Sequence, residues 1–128
     1  MIRVVAAVIQ QNGRILICQR RAGDTMAGKW EFPGGKIRRS ETPRAALSRE
    51  LREELGVEAE IGAEIYRTHH LYAELATRLE ITFFAAGGLF RAPRNLAFQR
   101  MVWARRADLA RYDFLPADRV LVARLIHS

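Results

Sequence analysis

The hydrophobic positions in the first third of the chain fall into short runs that are typical of strands. Residues 3–10 and 14–20 are β-branched and aliphatic, and Gln11, Asn12 and Gly13 separate them. Because Asn-Gly favours a tight turn between strands, the pattern predicts a β-hairpin. Residues 22–28 read as a polar loop. The run Pro33-Gly34-Gly35 is expected to stop regular structure and to free the backbone to approach a ligand.

The clearest helical pattern covers residues 42–55. Its apolar stripe repeats every four residues as Leu47, Leu51 and Leu55. Thr42 is expected to cap the N-terminus, with Pro43 at the first helical position and Gly56 just past the end. Both ends and the buried face of one helix are therefore specified locally.

The second half of the chain predicts more strands and one more helix. Residues 57–65 and 79–86 read as strands, joined by a polar and aromatic segment around His69, His70 and Tyr72. Residues 101–104 read as a short strand, and Pro116 is expected to start a last helix. That helix would bury Val120, Leu121 and Leu125. The order predicts an α/β fold, a mixed sheet sandwiched between helices, in one domain spanning residues 1–128.

Composition and charge narrow the class of protein. Hydrophobic residues make up 49% and charged residues 27% of the 128 residues, which is typical of a soluble globular protein. The apolar run 4–9 is too short to span a membrane, so we expect a cytoplasmic protein. Cys18 lies in an apolar run and is expected to be buried rather than reactive. The net charge of +7 favours anionic partners, but the arginines are dispersed and form no simple DNA-binding face.

Three carboxylates lie together on the predicted helix. Glu50, Glu53 and Glu54 are spaced at i, i+3 and i+4, so they share one edge beside the leucine stripe. Only Arg49, one turn before Glu53, is placed to offset their repulsion. A solvated surface explains such a face, and so does a divalent cation, because Mg²⁺ prefers carboxylate oxygens and commonly bridges protein to phosphates.

The spacing around this helix resembles a known family. Gly35, Glu41, Arg49-Glu50-Leu51, Glu53-Glu54 and Gly56-Val57 match the signature of the Nudix hydrolases at every defining position. Residues 20–21, 31–37 and 115–118, together with Trp103, resemble the MutT-type enzymes of that family. The resemblance covers essentially the whole chain and implies the Nudix fold.

The resemblance implies roles for the residues of this signature. Glu50, Glu53 and Glu54 would hold Mg²⁺, or Mn²⁺ in its place, with a backbone oxygen from Gly35 or Lys36. Arg49 would orient the carboxylates, and Glu50 or Glu53 would accept the proton of the attacking water. Glu41 is expected to fix the loop rather than to act in catalysis.

One position departs from the pattern. MutT-like enzymes often carry a further glutamate two residues before a glutamine, where this chain has Ala97 before Phe98 and Gln99. The proton acceptor could then lie within the signature, Glu74 or Glu80 could replace the missing acid, or the rate could be low.

The resemblance also indicates where a nucleotide would bind. Expected substrate contacts come from the first strands, the segment before the helix and the last helix, and they are Arg21, Phe32, Lys36, Arg78 and Asp118. Asp118 would accept hydrogen bonds from a base edge, although an acid at the start of a helix is favourable without any ligand. His69 and His70 are expected at the surface. Residues 115–118 resemble the subgroup similar to CTP pyrophosphohydrolases, which act on modified cytidine and oxidised guanine nucleotides.

Three functions remain open at this point. The first is a Mg²⁺-dependent nucleoside triphosphate pyrophosphohydrolase that releases a monophosphate and pyrophosphate and sanitises nucleotides such as 8-oxo-dGTP or modified (d)CTP. The second is a Nudix hydrolase for another diphosphate-linked substrate. The third is a non-catalytic module that binds damaged bases, which the intact carboxylates disfavour. For the first we expect a nucleotide substrate, no stable nucleic-acid or membrane partner, and a monomer or homodimer.

Overall fold

The computed structural model describes residues 1–73 and 76–128. In chain order its elements are β1 (Ile2–Gln11), β2 (Arg14–Gln19), β3 (Trp30–Glu31), β4 (Gly34–Lys36), α1 (Pro43–Leu55), β5 (Glu60–Tyr72), β6 (Thr77–Gly87), β7 (Arg100–Arg105) and α2 (Arg119–Ile126). Two 3₁₀ segments, Arg106–Arg111 and Pro116–Asp118, precede α2.

Strand β1 is the centre of the sheet. It pairs antiparallel with β4 and parallel with β6, and β5 extends this side by pairing antiparallel with β6. The predicted hairpin with β2 forms, but only Gln10 and Gln11 of β1 pair across it. Beyond this point β2 diverges and pairs with β3 and β7. The earlier part of β1 can therefore pair with β4, and this pairing places β4 beside the first helix.

Helices α1 and α2 cover opposite faces of the sheet. Val5, Ala7 and Ile9 of β1 pack in the cluster that contains the α1 leucines. The intervening Ala6 and Val8 pack in the cluster that contains the apolar side of α2. A strand buried on both faces needs apolar residues at every position, which explains the unbroken run in β1. The predicted α/β/α arrangement is confirmed.

Local signals placed α1 correctly. The Thr42 side chain accepts a hydrogen bond from the Ala45 amide at 3.1 Å, and Pro43 is the first helical residue. Gly56 ends the helix in the left-handed region at φ 65°, and its amide donates to the Arg52 carbonyl. Leu47, Leu51 and Leu55 are all buried, as predicted.

Several other boundaries differ from the prediction. Strand β5 runs on to Tyr72, so the histidine segment is strand rather than an irregular connection. Gly34–Lys36 is a short strand, because its backbone pairs with β1. The α-helix α2 begins at Arg119, after a 3₁₀ turn at Pro116, and Val120 is half exposed while Val122 is buried in its place.

Two further expectations concern the surface and the core. Cys18 is fully buried, and burial raises the pKa of its thiol far above the usual range. This agrees with the prediction of an unreactive side chain. Among the helices of the described residues, none is long and apolar enough to cross a membrane.

Candidate active site

Arg49 is the centre of a hydrogen-bond network between α1 and the loop before it. Its Nε and Nη2 donate to the two carboxylate oxygens of Glu41 at 2.7 and 2.8 Å, and Nη1 donates to Glu50 at 2.8 Å. A longer contact of 3.4 Å reaches Glu53, and Nη2 also donates to the Lys36 carbonyl at 3.0 Å. One guanidinium therefore orients three carboxylates and fixes residues 36–41 against the helix.

Glu54 points from α1 toward β4. The Gly34 amide donates to its Oε1 at 3.0 Å, which ties the helix to the central strand. Burial, with the nearby carboxylates of Glu50 and Glu31, raises the pKa of Glu54 to about 9, although the Gly34 amide acts in the opposite direction. Burial and the neighbouring carboxylates thus disfavour the charged form of Glu54 in the absence of a bound cation.

Gly35 makes room for Glu50. A Cβ atom at Gly35 would lie 2.6 Å from both carboxylate oxygens of Glu50, so no larger residue fits without displacing that side chain. The backbone of β4 can therefore approach the carboxylates directly, as the Pro33-Gly34-Gly35 run predicted.

The donor set fits a divalent cation in its chemistry. Glu50, Glu53 and Glu54 supply carboxylate oxygens along one helix edge, and oxygen ligands of this kind are those that Mg²⁺ prefers. In the conformation described, no group of three or more His, Cys, Asp or Glu side chains within residues 1–73 and 76–128 converges on one point. Arg49 holds Glu50 and Gly34 holds Glu54, whereas Glu53 is half exposed and makes only long contacts.

A cavity of about 330 Å³ opens next to these carboxylates. At one end it reaches Glu54, Gly34, Gly35 and Lys36. At the other end its walls are apolar and aromatic, with a few polar groups: Arg20, Met26, Glu31, Phe32, Tyr72, Leu79, Ile81, Phe83, Leu115 and Asp118. An apolar cleft with a few convergent polar groups is the usual form of a small-molecule site.

The aromatic end of the cavity is rigidly built. The Phe32 ring stacks on Phe114 with centroids 5.5 Å apart and meets Phe83 edge-on at 6.1 Å. Phe32 is thus both a core residue and a wall of the cavity. Its burial in the core is therefore compatible with the expected substrate contact. The Tyr72 hydroxyl accepts a hydrogen bond from the Ala117 amide at 3.1 Å, which fixes the turn before α2.

Asp118 lies at this end and is only 3% exposed. Its side chain makes no capping hydrogen bond to α2, so helix capping does not account for it. Burial and the neighbouring Glu31 raise the pKa of Asp118 well above the usual range, while the Phe32 amide and Arg20 act in the opposite direction. A raised pKa favours the neutral carboxyl, which can donate as well as accept a hydrogen bond, so the expected acceptor role of Asp118 stays a prediction.

Sequence reasoning missed an ion pair in the cavity wall. Arg20 Nη1 lies 3.2 and 3.1 Å from the two carboxylate oxygens of Glu31. Both residues belong to the segments that resemble MutT-type enzymes, yet a charged pair on a half-buried strand edge has no local signature. The pairing of β2 with β3 places the two side chains together.

Two of the expected substrate contacts do not line this cavity. Arg21 is exposed and does not line the cavity, because β2 ends at Gln19 and the chain turns so that Arg20 faces inward instead. Arg78 is exposed and lies on the opposite face of β6 from Leu79, which does line the cavity. Phe32, Lys36 and Asp118 do line it.

Of the two candidates for a replacement acid, the structure describes only Glu80. Glu80 contacts His69 at 3.0 Å and Arg3 at 3.5 Å and does not line the cavity. Glu74 lies outside the described residues. His69 is exposed, and His70 packs on Tyr72 with ring centroids 4.4 Å apart, so neither histidine faces the carboxylates.

Ala97 lies close to the end of α1. The Leu96 amide donates to the Glu54 carbonyl at 3.0 Å, and the Arg94 amide donates to Leu55 at 2.8 Å. Ala97 packs with the apolar cluster beneath α1. The position where related enzymes often have an acid is therefore near the site, and here it is apolar.

Comparison with known proteins agrees with this fold. A family model described as the NUDIX domain matches residues 4–124. The chain belongs to the NUDIX domain family and is a Nudix hydrolase. Hydrolases of this family generally use divalent metal ions, in agreement with the donor set on α1.

Individual relatives span nearly the full chain. The chain is 38% identical over 118 residues to the CTP pyrophosphohydrolase of Escherichia coli (strain K12), covering 92% of this chain and 86% of the relative. It is 34% identical over 130 residues to the 8-oxo-dGTP diphosphatase of Haemophilus influenzae (strain Rd), covering 100% and 93%. The solution structure of the E. coli ORF135 protein superposes with a TM-score of 0.86 at 35% identity, covering 99% and 89%.

Proposed function

We propose that the protein is a Mg²⁺-dependent nucleoside triphosphate pyrophosphohydrolase that removes oxidised or modified nucleotides from the cytoplasmic pool. One observation carries the proposal: a single cavity joins Glu54, Gly34 and Gly35 to an aromatic end that contains Phe32 and Asp118. A nucleotide has this same layout, with a flat base at one end and phosphates at the other. The relatives named for CTP and 8-oxo-dGTP support the substrate class.

At the base end, Phe32 would form an apolar wall. Buried Asp118 would hydrogen-bond the base edge, and its raised pKa allows it to act as donor and acceptor. Modified cytosine and 8-oxoguanine both present N–H and carbonyl groups on one edge. Asp118 therefore supports a preference among bases rather than the hydrolysis itself.

At the phosphate end of the cavity, the residues of α1 would have separate roles. Glu50, Glu53 and Glu54, with the Gly35 backbone, would hold Mg²⁺, and Arg49 would keep Glu50 oriented through its 2.8 Å contact. The bound cation would offset phosphate charge and acidify an attacking water. Glu50 or Glu53 would accept the proton of that water, since Glu50 lies beside Gly35 and Glu53 is the half-exposed carboxylate of the same helix. Lys36 lines the phosphate end of the cavity and would contact the phosphate chain.

A panel of normal, oxidised and methylated nucleoside triphosphates, assayed for pyrophosphate against phosphate release, tests the proposal. We expect a monophosphate and pyrophosphate as products, a preference for a modified (d)CTP or 8-oxo-dGTP, and loss of turnover on chelation of Mg²⁺. If the protein hydrolyses only another diphosphate-linked compound, that class of compound would replace nucleoside triphosphates as the proposed substrate. No hydrolysis of any nucleotide, with retained binding to DNA that contains damaged bases, would contradict an enzymatic role.

A further inference from the structure

A second cavity of about 460 Å³ lies beside the first, between the start of β1 and residues 36–41. The two cavities share Ile2 and Lys36 as lining residues. The second cavity therefore adjoins the first at Lys36, which follows Gly34 and Gly35 in β4. A ligand whose base fills the aromatic end would extend its far end in this direction.

The lining of the second cavity is strongly cationic. Four cationic side chains line it, namely Arg3, Lys36, Arg38 and Arg39. Glu41 is the acidic residue among the described lining residues. Its two carboxylate oxygens already accept hydrogen bonds from Arg49 at 2.7 and 2.8 Å. No ion pair within residues 1–73 and 76–128 engages Lys36 or Arg39. Lys36 and Arg39 thus offer unneutralised charge to an anion, while Arg3 and Arg38 make only long contacts with Glu80 and Glu53, at 3.5 and 3.7 Å.

The turn that carries these cations is held in place. The Ile37 amide donates to the Arg3 carbonyl at 2.9 Å, and the Arg38 amide donates to Glu41 Oε1 at 2.8 Å. The Glu41 amide closes the turn by donating to the Arg38 carbonyl at 3.1 Å. Ser40 occupies the left-handed region at φ 68°, which the closed turn requires. The backbone around Arg38 and Arg39 is therefore preorganised, so little ordering cost remains for binding.

Arg38 connects this turn to the metal helix. Its Nη2 lies 3.7 Å from Glu53 Oε1, so a group bound by Arg38 would be adjacent to the carboxylates of α1. Arg39 is exposed and lines the same cavity. The two arginines present planar donor groups that suit phosphate oxygens.

We propose that Arg38 and Arg39, with Lys36, form a subsite for the terminal phosphate of the substrate and make the protein select triphosphates over diphosphates. This inference rests on the proposed function for its substrate. The subsite itself is defined by its cations, so its affinity for a phosphate chain is measurable without a nucleotide.

The direct test is calorimetric titration of metal-free protein with inorganic tripolyphosphate. We expect Arg38→Ala/Arg39→Ala to bind at least about tenfold more weakly than the unchanged protein, because two charge-assisted contacts are lost. Arg38→Lys/Arg39→Lys should retain most of the affinity. Arg91→Ala/Arg111→Ala, an equal loss of two charges at exposed residues outside both cavities, should stay within about twofold.

Three results of the titration would overturn the subsite. The first is that the unchanged protein shows no measurable binding of tripolyphosphate. The second is that the double alanine variant binds as tightly as the unchanged protein. The third is that the double lysine and double alanine variants lose the same affinity. The last would show that the conformation of the turn matters rather than its charge.

A kinetic comparison tests selection of the triphosphate. The double alanine variant should lose at least about tenfold in kcat/KM for 8-oxo-dGTP but less than about threefold for 8-oxo-dGDP. Equal losses on both nucleotides would overturn the proposal. If the unchanged protein hydrolyses no nucleotide, the proposed function fails, and the tripolyphosphate titration still decides the subsite.

Discussion

Arg49 and Glu41 form a two-point ion pair that joins the metal helix to the loop before it. Nε donates to Oε2 at 2.7 Å and Nη2 donates to Oε1 at 2.8 Å. Hydrogen bonds from Arg49 and from the Arg38 amide lower the pKa of Glu41 to about 2. The carboxylate is thus saturated by partners that hold the loop, which supports an architectural role for this residue.

The first prediction concerns acid stability. A carboxylate whose folded pKa is depressed stabilises the protein above its unfolded pKa, and that contribution is lost as the pH falls through the folded pKa. For Glu41 the window runs from its ordinary value of 4.5 down to about 2. Glu41→Gln should therefore lower the urea midpoint at pH 6, and its difference from the unchanged protein should narrow toward pH 3.

Glu58→Gln is the matched control for this measurement. Glu58 is exposed and contacts Arg52 only at 3.5 Å, so its substitution should leave the midpoint nearly unchanged at both pH values. A Glu41→Gln difference that stays constant with pH would contradict the assigned pKa.

The second prediction concerns Glu53. Glu53→Gln removes a charge but little volume from a half-exposed side chain with only long contacts, so the fold should be retained. We expect kcat/KM to fall at least about 100-fold, since a metal-binding carboxylate is lost. Turnover with 8-oxo-dGTP and the thermal midpoint should be measured together, with Glu58→Gln as control. Full activity in Glu53→Gln would place the metal site elsewhere.

The third prediction separates the two glycines of β4. In Gly35→Ala the new Cβ would displace the Glu50 carboxylate, a flexible group, so activity should fall at least about tenfold with little loss of stability. In Gly34→Ala the Cβ would meet the backbone of Val5 and lie 2.7 Å from Ala6 Cα. This clash within the sheet should destabilise the fold by about 1–3 kcal/mol.

Gly23→Ala controls for a glycine replaced in open space, because no atom lies within 4 Å of its Cβ position. Urea midpoints and kcat/KM should both be recorded for the three variants. Equal loss of stability in Gly34→Ala and Gly35→Ala would contradict the different neighbours assigned to the two positions.

The fourth prediction concerns the choice of base. Asp118→Asn keeps the shape of a buried side chain but fixes which atom donates, so the ranking of 8-oxo-dGTP against modified dCTP should change by about threefold or more. Hydrolysis itself should persist, because Asp118 is not among the carboxylates of α1 that would hold the metal. Asp108→Asn, outside the cavity, is the control. An unchanged ranking in Asp118→Asn would limit this residue to a structural role.

Local signals in the sequence predicted the ends of α1 well. They did not indicate which of two adjacent arginines lines the cavity. The cap at Thr42, the proline at position 43 and Gly56 act within a few residues of their own backbone, so sequence alone places both ends of the helix. The choice between Arg20 and Arg21 depends on where β2 ends and which side of the chain faces the cavity. That choice is made by pairing with β3 and β7, which are distant in sequence.

The sequence by itself determined the family, the helix that carries Glu50, Glu53 and Glu54, and the α/β class, because these follow from spacing and periodicity along one segment. Tertiary structure alone decided that Glu54 is held by Gly34, that Arg20 pairs with Glu31, and that Asp118 is buried beside Phe32. The physical reason is that these features depend on contacts between segments far apart in the chain. Such contacts determine which side chains are desolvated, which cavities form and to which side of the sheet a strand residue points. The parallel pairing of β1 with β6 brings such segments together, and no short stretch of sequence encodes it.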